Sequence, residues 1–419
     1  MATQANSVAH KTVVKVDPFI PADQQKGIHN RWHPDIPPYA TVKPGEVFKV
    51  ECVDWTGAQI GNNDNSDDIK NVDLTKIHNL SGPIAVEGAE PGDCLHEHLT
   101  VGPFDKMPWG YTGIFELENG GGLFGMASKS GLLWYNFNSF VAKEFNSRAC
   151  KAIWDFKGVY ATSRHIPGVR FAGVSHPGLI GTAPSAELLA TWNERECGLI
   201  AEHAKSVPPV AYAPNPTGAY VGQDLDSAVL NKIGEEGART VPGREHGGNC
   251  DLSFCGAIEM AGVITFSTSI IKGGVEKFAL KQPIFLPSPI DPLYSSKLIF
   301  EGISVDLHGD GKQYNMDAYV PTFFFVRSSE LWDSTVAYKQ AALNAIAYLQ
   351  KLGYTREQAY LLLSAAPVES HVGAVVDSPN ACVTLAIPTG IFDFDILPKD
   401  EGLTKHDLGQ CAIRSDGIL

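Results

Sequence analysis

The 419-residue sequence has no apolar run near the roughly 18 residues that a membrane-crossing helix requires. It also lacks a basic excess. Lys and Arg number 33 against 47 Asp and Glu, for a net charge of −14. Phosphate backbones are gripped by clustered Lys and Arg, so a nucleic-acid partner is not expected, and neither is adhesion to anionic membranes. The first 25 residues lack the charged-then-apolar order of a secretory leader. The eight cysteines, at 52, 94, 150, 197, 250, 255, 382 and 411, form no CxxC pair. A zinc ribbon or disulfide framework is therefore not indicated, and the expectation is a cytoplasmic protein with reduced thiols. The G-x-S-x-G elbow of serine hydrolases and the P-loop signature are missing too, and nucleotides are not among the expected ligands.

What remains is a globular chain, 44% hydrophobic and 19% charged, long enough for two or three units around sizeable cores. Short alternating runs between 40 and 110, broken by "PGE" and "PGD" turns, read as a sandwich or barrel segment. "PSAELLATWNERECGLIAEHAKS" (184–206) reads as a helix capped by Ser185. The Pro-, Gly- and Asn-rich stretch 207–243 reads as an ordered connector, and 256–305 returns to strands. A helix over 333–353 stops at Gly353, and a second follows from Thr355, where Thr355 and Gln358 make a T-x-x-Q capping box. "VGAVVD" and "CVTLAIP" read as two closing strands. The fold class is α+β with β dominant: sandwich- or barrel-like β units and a C-terminal helical hairpin with short strands. Three units are drawn: a β-rich one over 1–183, a helix, connector and site segment over 184–255, and an α+β unit over 256–419.

Chemistry is most concentrated in "VPGREHGGNCD" (241–251). Gly247 and Gly248 permit close backbone approach, His246 and Asp251 can bind a metal or move a proton, and Asn249 can polarise a carbonyl. A polar turn before a strand is the bland alternative. "GNNDNSDDIKNVD" (61–73), with Asp64, Asp67, Asp68 and Asp73, has the composition of a calcium loop without the EF-hand order, so a solvated acidic loop is the plainer reading. His165 and His176 lie in Pro-Gly turns ahead of the helix at Ser185, whose free N–H groups suit developing negative charge. His96 and His98 share a strand face, as a metal pair or as two surface imidazoles. Cys250 and Cys255 could be nucleophiles or small buried hydrophobes.

"PGREHGGNCD", "RHIPGVRFAGVSHPGLIGTAPSAELLATWNERE", "HNLSGPIAVEGAEPGD", "WGYTGIFELENGGG" and "SFCGAIEMAG" together resemble the acetamidase/formamidase family, nearest to fungal and plant formamidases. The resemblance runs from about Val13 to about Pro398. It implies hydrolysis of formamide or a similarly small linear amide to the acid and ammonia, a β-rich α+β fold, a homo-oligomer, and zinc or calcium near the site. The family's H-G-G-N-x-D motif falls on His246, Gly247, Gly248, Asn249 and Asp251. The E-G-A-x-P-G-D turn falls on 87–93, beginning with Glu87, and the H-P-G-x-I-G-T-A-P segment on 176–184. By this resemblance Asp251 and His246 handle metal or water and Asn249 contacts the substrate carbonyl. His176, Gly247, Gly248 and Glu87 line the substrate, and Asp64 joins the metal set.

The sequence also departs from that pattern. Asp251 runs directly into "LSFCGAIEMAG", where relatives place a β segment ending in G-D-x-H-x-x-Q-G-D-G-E. Glu259 matches a different family position and does not replace the lost Glu. Extra aromatic-rich residues stand at 123–147 and 319–332. The resemblance therefore carries an alternative: a catalytically inactive member serving as a binding or oligomer-forming subunit.

Overall fold

Strands dominate because β-branched and aromatic residues alternate between Gly- and Pro-containing turns through much of the chain. The computed structural model describes residues 10–116, 148–172, 178, 180–203, 216–238, 255–280, 284, 294–304, 334–375 and 381–417. A four-stranded sheet has the order β1 (Lys11–Val14), β4 (Val47–Cys52), β13 (Gly262–Ile271), β7 (Cys94–Pro103). A five-stranded sheet runs β11 (Arg170–Ala172), β10 (Tyr160–Thr162), β9 (Cys150–Lys157), β8 (Trp109–Ile114), β12 (Cys255–Glu259). The third has β16 (Cys382–Pro388) between β14 (Lys297–Ile303) and β15 (Glu369–Ala374). Two small pairs complete the set: β2 (Ile28–His29) with β5 (Leu80–Ser81), and β3 (Ala40–Val42) with β6 (Ile84–Val86). The units drawn on the sequence share sheets, since β13 is antiparallel to both β4 and β7, and β12 to β8.

Among the described residues the α-helices are α1 (Asp67–Asn71), α2 (Ala186–His203), α3 (Ser227–Glu236), α4 (Gly274–Lys277), α5 (Ser334–Leu352) and α6 (Arg356–Ala365). The caps read from the sequence are made: Ser185 Oγ accepts the Leu188 amide at 3.1 Å, and Thr355 and Gln358 form the reciprocal box. The connector expectation for 207–243 missed α3. Its signals are local and were diluted by Pro and Gly on either side: Asp226 caps the Ala228 amide at 2.7 Å, and Gly237 follows the last turn.

Helices α5 and α6 form the expected hairpin. The buried stripe of α5 is Ala337, Ala341, Ala342, Ala345, Ile346, Leu349 and Leu352. Small residues let the helix lie close on β14, where a Cβ on Gly302 would come within 2.0 Å of the Ala337 carbonyl. The turn out of α5 uses Gly353 at φ 116°, a conformation that L side chains avoid.

The five-stranded sheet separates two cores. Successive side chains of a strand point to opposite faces. On β9, Cys150, Ala152 and Trp154 pack with α5 and α6, whereas Ile153 packs with Phe48, Val50 and Tyr111 on the other side. A strand buried on both faces should be continuously apolar. Lys151, on the Ile153 side, is the exception.

Candidate active site

The Lys151 side chain has no exposed surface. Its ammonium has three N–H donors and finds three acceptors: Asp68 Oδ2 at 2.5 Å, the Gly61 carbonyl at 2.9 Å and Asn63 Oδ1 at 3.1 Å. All three belong to the acidic loop 61–68. Burial pulls the Lys151 pKa down, and the Asp68 carboxylate opposes that. The loop is tightened from within, because Asp68 Oδ2 accepts the Gly61 amide at 2.9 Å and Asn63 Oδ1 the Asn65 amide at 2.9 Å.

The tip of the loop meets the turn after β10. Asp64 Oδ1 accepts from Arg164 Nε at 2.7 Å and from His165 Nε2 at 3.1 Å, and Asn62 Oδ1 accepts from Arg164 Nη2 at 2.8 Å. The Arg164 guanidinium lowers the Asp64 pKa, so this carboxylate is a weak base. His165 is buried, and its Nδ1 accepts the Ile153 amide at 3.0 Å. Burial, then the nearby Arg164 charge, lowers its pKa, which favours a neutral ring. Both ring nitrogens are thus engaged, and His165 has no lone pair to offer as a general base.

The C-terminal stretch 408–416 closes the loop from the third side. Ala412 exchanges backbone bonds with Lys151 at 3.1 and 3.0 Å, the Ile413 carbonyl accepts the Ser66 amide at 3.0 Å, and Asp67 Oδ1 accepts the Ser415 amide at 3.1 Å. Arg414 Nη1 donates to the buried Glu116 at 2.8 Å.

A second buried polar segment, 28–33, meets Ala238 and Gly181, described residues on the sequence flanks of two candidate stretches. His29, Asn30, Arg31 and His33 are all buried. His29 Nδ1 lies 2.8 Å from the Arg31 carbonyl, Asn30 Nδ2 donates to the Gly218 carbonyl at 2.9 Å, and Arg31 Nη1 to the Asn30 carbonyl at 2.9 Å. Burial drives the His29 pKa down to about 4, partly offset by its carbonyl partner. Trp32 and Ala238 exchange backbone bonds at 2.9 and 3.1 Å, directly ahead of 239–254. A Cβ on Gly181, just beyond 173–177, would stand 3.1 Å from the Trp32 ring. The flanks of both candidate stretches therefore rest on one tryptophan.

The sequence candidates divide accordingly. His176, His246, Gly247, Gly248, Asn249 and Asp251 lie outside the described residues. Glu87 is exposed, on the turn 87–93 that Lys272 ties down through the Gly88 carbonyl at 2.6 Å, Asp93 at 2.8 Å and Glu90 at 2.9 Å. Among the described residues no hydrogen bond or ion pair joins Glu87 to the Asp64 cluster. His96 and His98 do share a face of β7, with ring centroids 4.8 Å apart, at the edge of the described four-stranded sheet. Glu259 is buried at the end of β12, opposite Tyr111.

Asp64 was expected among the metal ligands. One of its carboxylate oxygens, Oδ1, is held by a guanidinium and an imidazole, and a fixed ammonium occupies the loop behind it, while the other expected ligands, His246 and Asp251, lie outside the described residues. Among the described residues no group of three or more His, Cys, Asp or Glu could hold a metal. Sequence reasoning missed Lys151, Arg164 and the segment 28–33. One signal was available, a lysine inside the apolar run "CKAIW".

The sequence profile of the Acetamidase/Formamidase family matches residues 15–253, 251–323 and 324–394. The chain belongs to the acetamidase/formamidase family. Within that family it is 48% identical to a formamidase of Methylophilus methylotrophus, over 94% of this chain and 96% of that protein. It is 44% identical to a putative formamidase of Schizosaccharomyces pombe, over 97% and 99% of the two chains. A solved gamma lactamase from Delftia acidovorans superposes with a TM-score of 0.81 at 45% identity, covering 97% of this chain and all of that one. These neighbours agree with the strand-rich α+β fold. The two sequence alignments extend over 428 and 443 positions, more than the 419 residues here, so relatives carry residues that this chain lacks.

Proposed function

We propose that this chain is a formamidase-type hydrolase of small linear amides, converting formamide and water to formate and ammonia. The observation that carries the reading is family membership with near-complete coverage of a formamidase at 48% identity. In this reading Asp251 and His246 handle the attacking water, Asn249 contacts the carbonyl oxygen, and Gly247 and Gly248 let the backbone approach the substrate. His176 and Glu87 belong to the substrate surroundings. The zinc or calcium implied by the family rests on His246 and Asp251 alone, and no step is routed through it. In this reading Asp64 takes no part in the chemistry and serves instead as the partner of Arg164 and His165. The family resemblance also supports a homo-oligomer. A cytoplasmic location agrees with the absence, among the described residues, of any helix long and apolar enough to cross a membrane.

A second reading draws on the junction at Asp251. The family match is interrupted there, between 15–253 and 251–323, and the alignments are longer than the chain. If the lost segment carried groups that the chemistry needs, the chain is an inactive, oligomer-forming member. Ammonia release from formamide by the purified full chain, with zinc or calcium supplied, separates the two readings. Turnover that Asp251→Ala abolishes supports the hydrolase. Silence from a folded sample sinks it in favour of the inactive subunit.

A further inference from the structure

The loop 61–68 has a calcium-loop composition, yet a side chain of the protein occupies its interior. We infer that the Lys151 ammonium is the built-in cation of this loop, so that the loop holds its shape with no metal ion. The inference stands whether or not the chain hydrolyses amides.

Three observations carry it. The first is the ligand set. A backbone carbonyl, an amide oxygen and a carboxylate oxygen surround one charge, the same donor types that hold calcium in a loop. The second is stoichiometry. Calcium takes six to eight oxygens at about 2.3–2.6 Å, whereas an ammonium is satisfied by three acceptors at hydrogen-bond distance, which is what this loop provides. The further carboxylates are turned elsewhere, Asp64 to Arg164 and His165, and Asp67 to Asn65 Nδ2 at 3.2 Å and the Ser415 amide. The third is placement. Lys151 issues from the buried half of β9, the central strand of its sheet, its backbone is paired with Ala412, and its side chain is wholly enclosed. A freely exchanging ion is replaced by a cation covalently anchored in the core. The loop is thereby fixed to β9 and shaped for its contacts with Arg164, His165 and the C-terminal stretch.

Thermal unfolding of the full chain tests this with a readout independent of turnover. The Tm difference between EDTA and millimolar calcium is expected to be the same in the wild type and in Asp68→Asn. A Tm that falls in EDTA or rises with calcium, with Asp68→Asn abolishing that response, overturns the inference. Lys151→Met and Asp68→Asn should each lower Tm, and the double variant should lose clearly less than the sum, because the two changes remove one shared interaction. Additive losses in that cycle, or a Lys151→Met variant as stable as wild type, also overturn it. Should Lys151→Met yield no folded protein, the comparison of wild type with Asp68→Asn in EDTA and in calcium decides alone.

Discussion

The loop 61–68 and the segment 28–33 both take polar side chains into the interior, but they neutralise them differently. In the loop a buried ammonium meets a carboxylate and two neutral oxygens that lie at the edge of the core. In the segment, imidazole, amide and guanidinium groups bind backbone carbonyls, and His29 is held uncharged by burial. The loop should therefore respond to loss of a charge partner, and the segment to acid.

The largest expected effect is on the loop. Lys151→Met leaves Asp68, a partly buried carboxylate, without its cation, and breaking a buried pair from one side sets an upper bound of about 3–5 kcal/mol. Urea unfolding at neutral pH measures this, and a cost under about 1 kcal/mol, the range of exposed pairs, would remove the distinction between the two regions.

Acid tests the segment. A histidine with a folded pKa of about 4 and an unfolded value near 6.5 binds its proton more readily when unfolded. Its contribution is fully present above about pH 6.5 and is lost as pH falls toward 4, roughly 3 kcal/mol at about 1.4 kcal/mol per pH unit. The His29→Gln variant should show a flatter decline in unfolding free energy between those limits. An unchanged pH slope would place the acid sensitivity elsewhere, His165 being the next group with a lowered pKa.

Capping offers a smaller reference effect away from both regions. Thr355→Ala removes half of the capping box of α6 and should cost about 1 kcal/mol. The least effect is expected at Asp64, an exposed carboxylate. Asp64→Asn should leave Tm nearly unchanged, and a large drop would mean that the loop depends on its tip rather than on Lys151.

These contrasts also show what could be read from residue order. Caps at Ser185 and Thr355, the α5–α6 hairpin and the strand-rich class were legible because they are local: a side chain and an amide three residues away, or an alternation within one strand. The cation of loop 61–68 was not legible, because Lys151 lies 83 residues from Asp68 and only the pairing of β9 brings it there. Helix α3 was hidden for a different reason, since a ten-residue helix averaged with Pro- and Gly-rich neighbours loses its signature. The candidates of the motif 246–251 came from residue chemistry and then from the family resemblance. The described structure adds the Trp32 platform on which their flank rests.

On the function proposed above, the 246–251 stretch performs the chemistry and the 61–68 loop is scaffold. The most direct measurement is ammonia release from formamide by wild type, Asp251→Asn and Asp64→Asn, prepared side by side. The predicted result is turnover by wild type, retained within a few-fold by Asp64→Asn and reduced by about 100-fold or more in Asp251→Asn, the scale of losing a general acid–base group. A silent wild type, or activity lost with Asp64 and kept without Asp251, would contradict it.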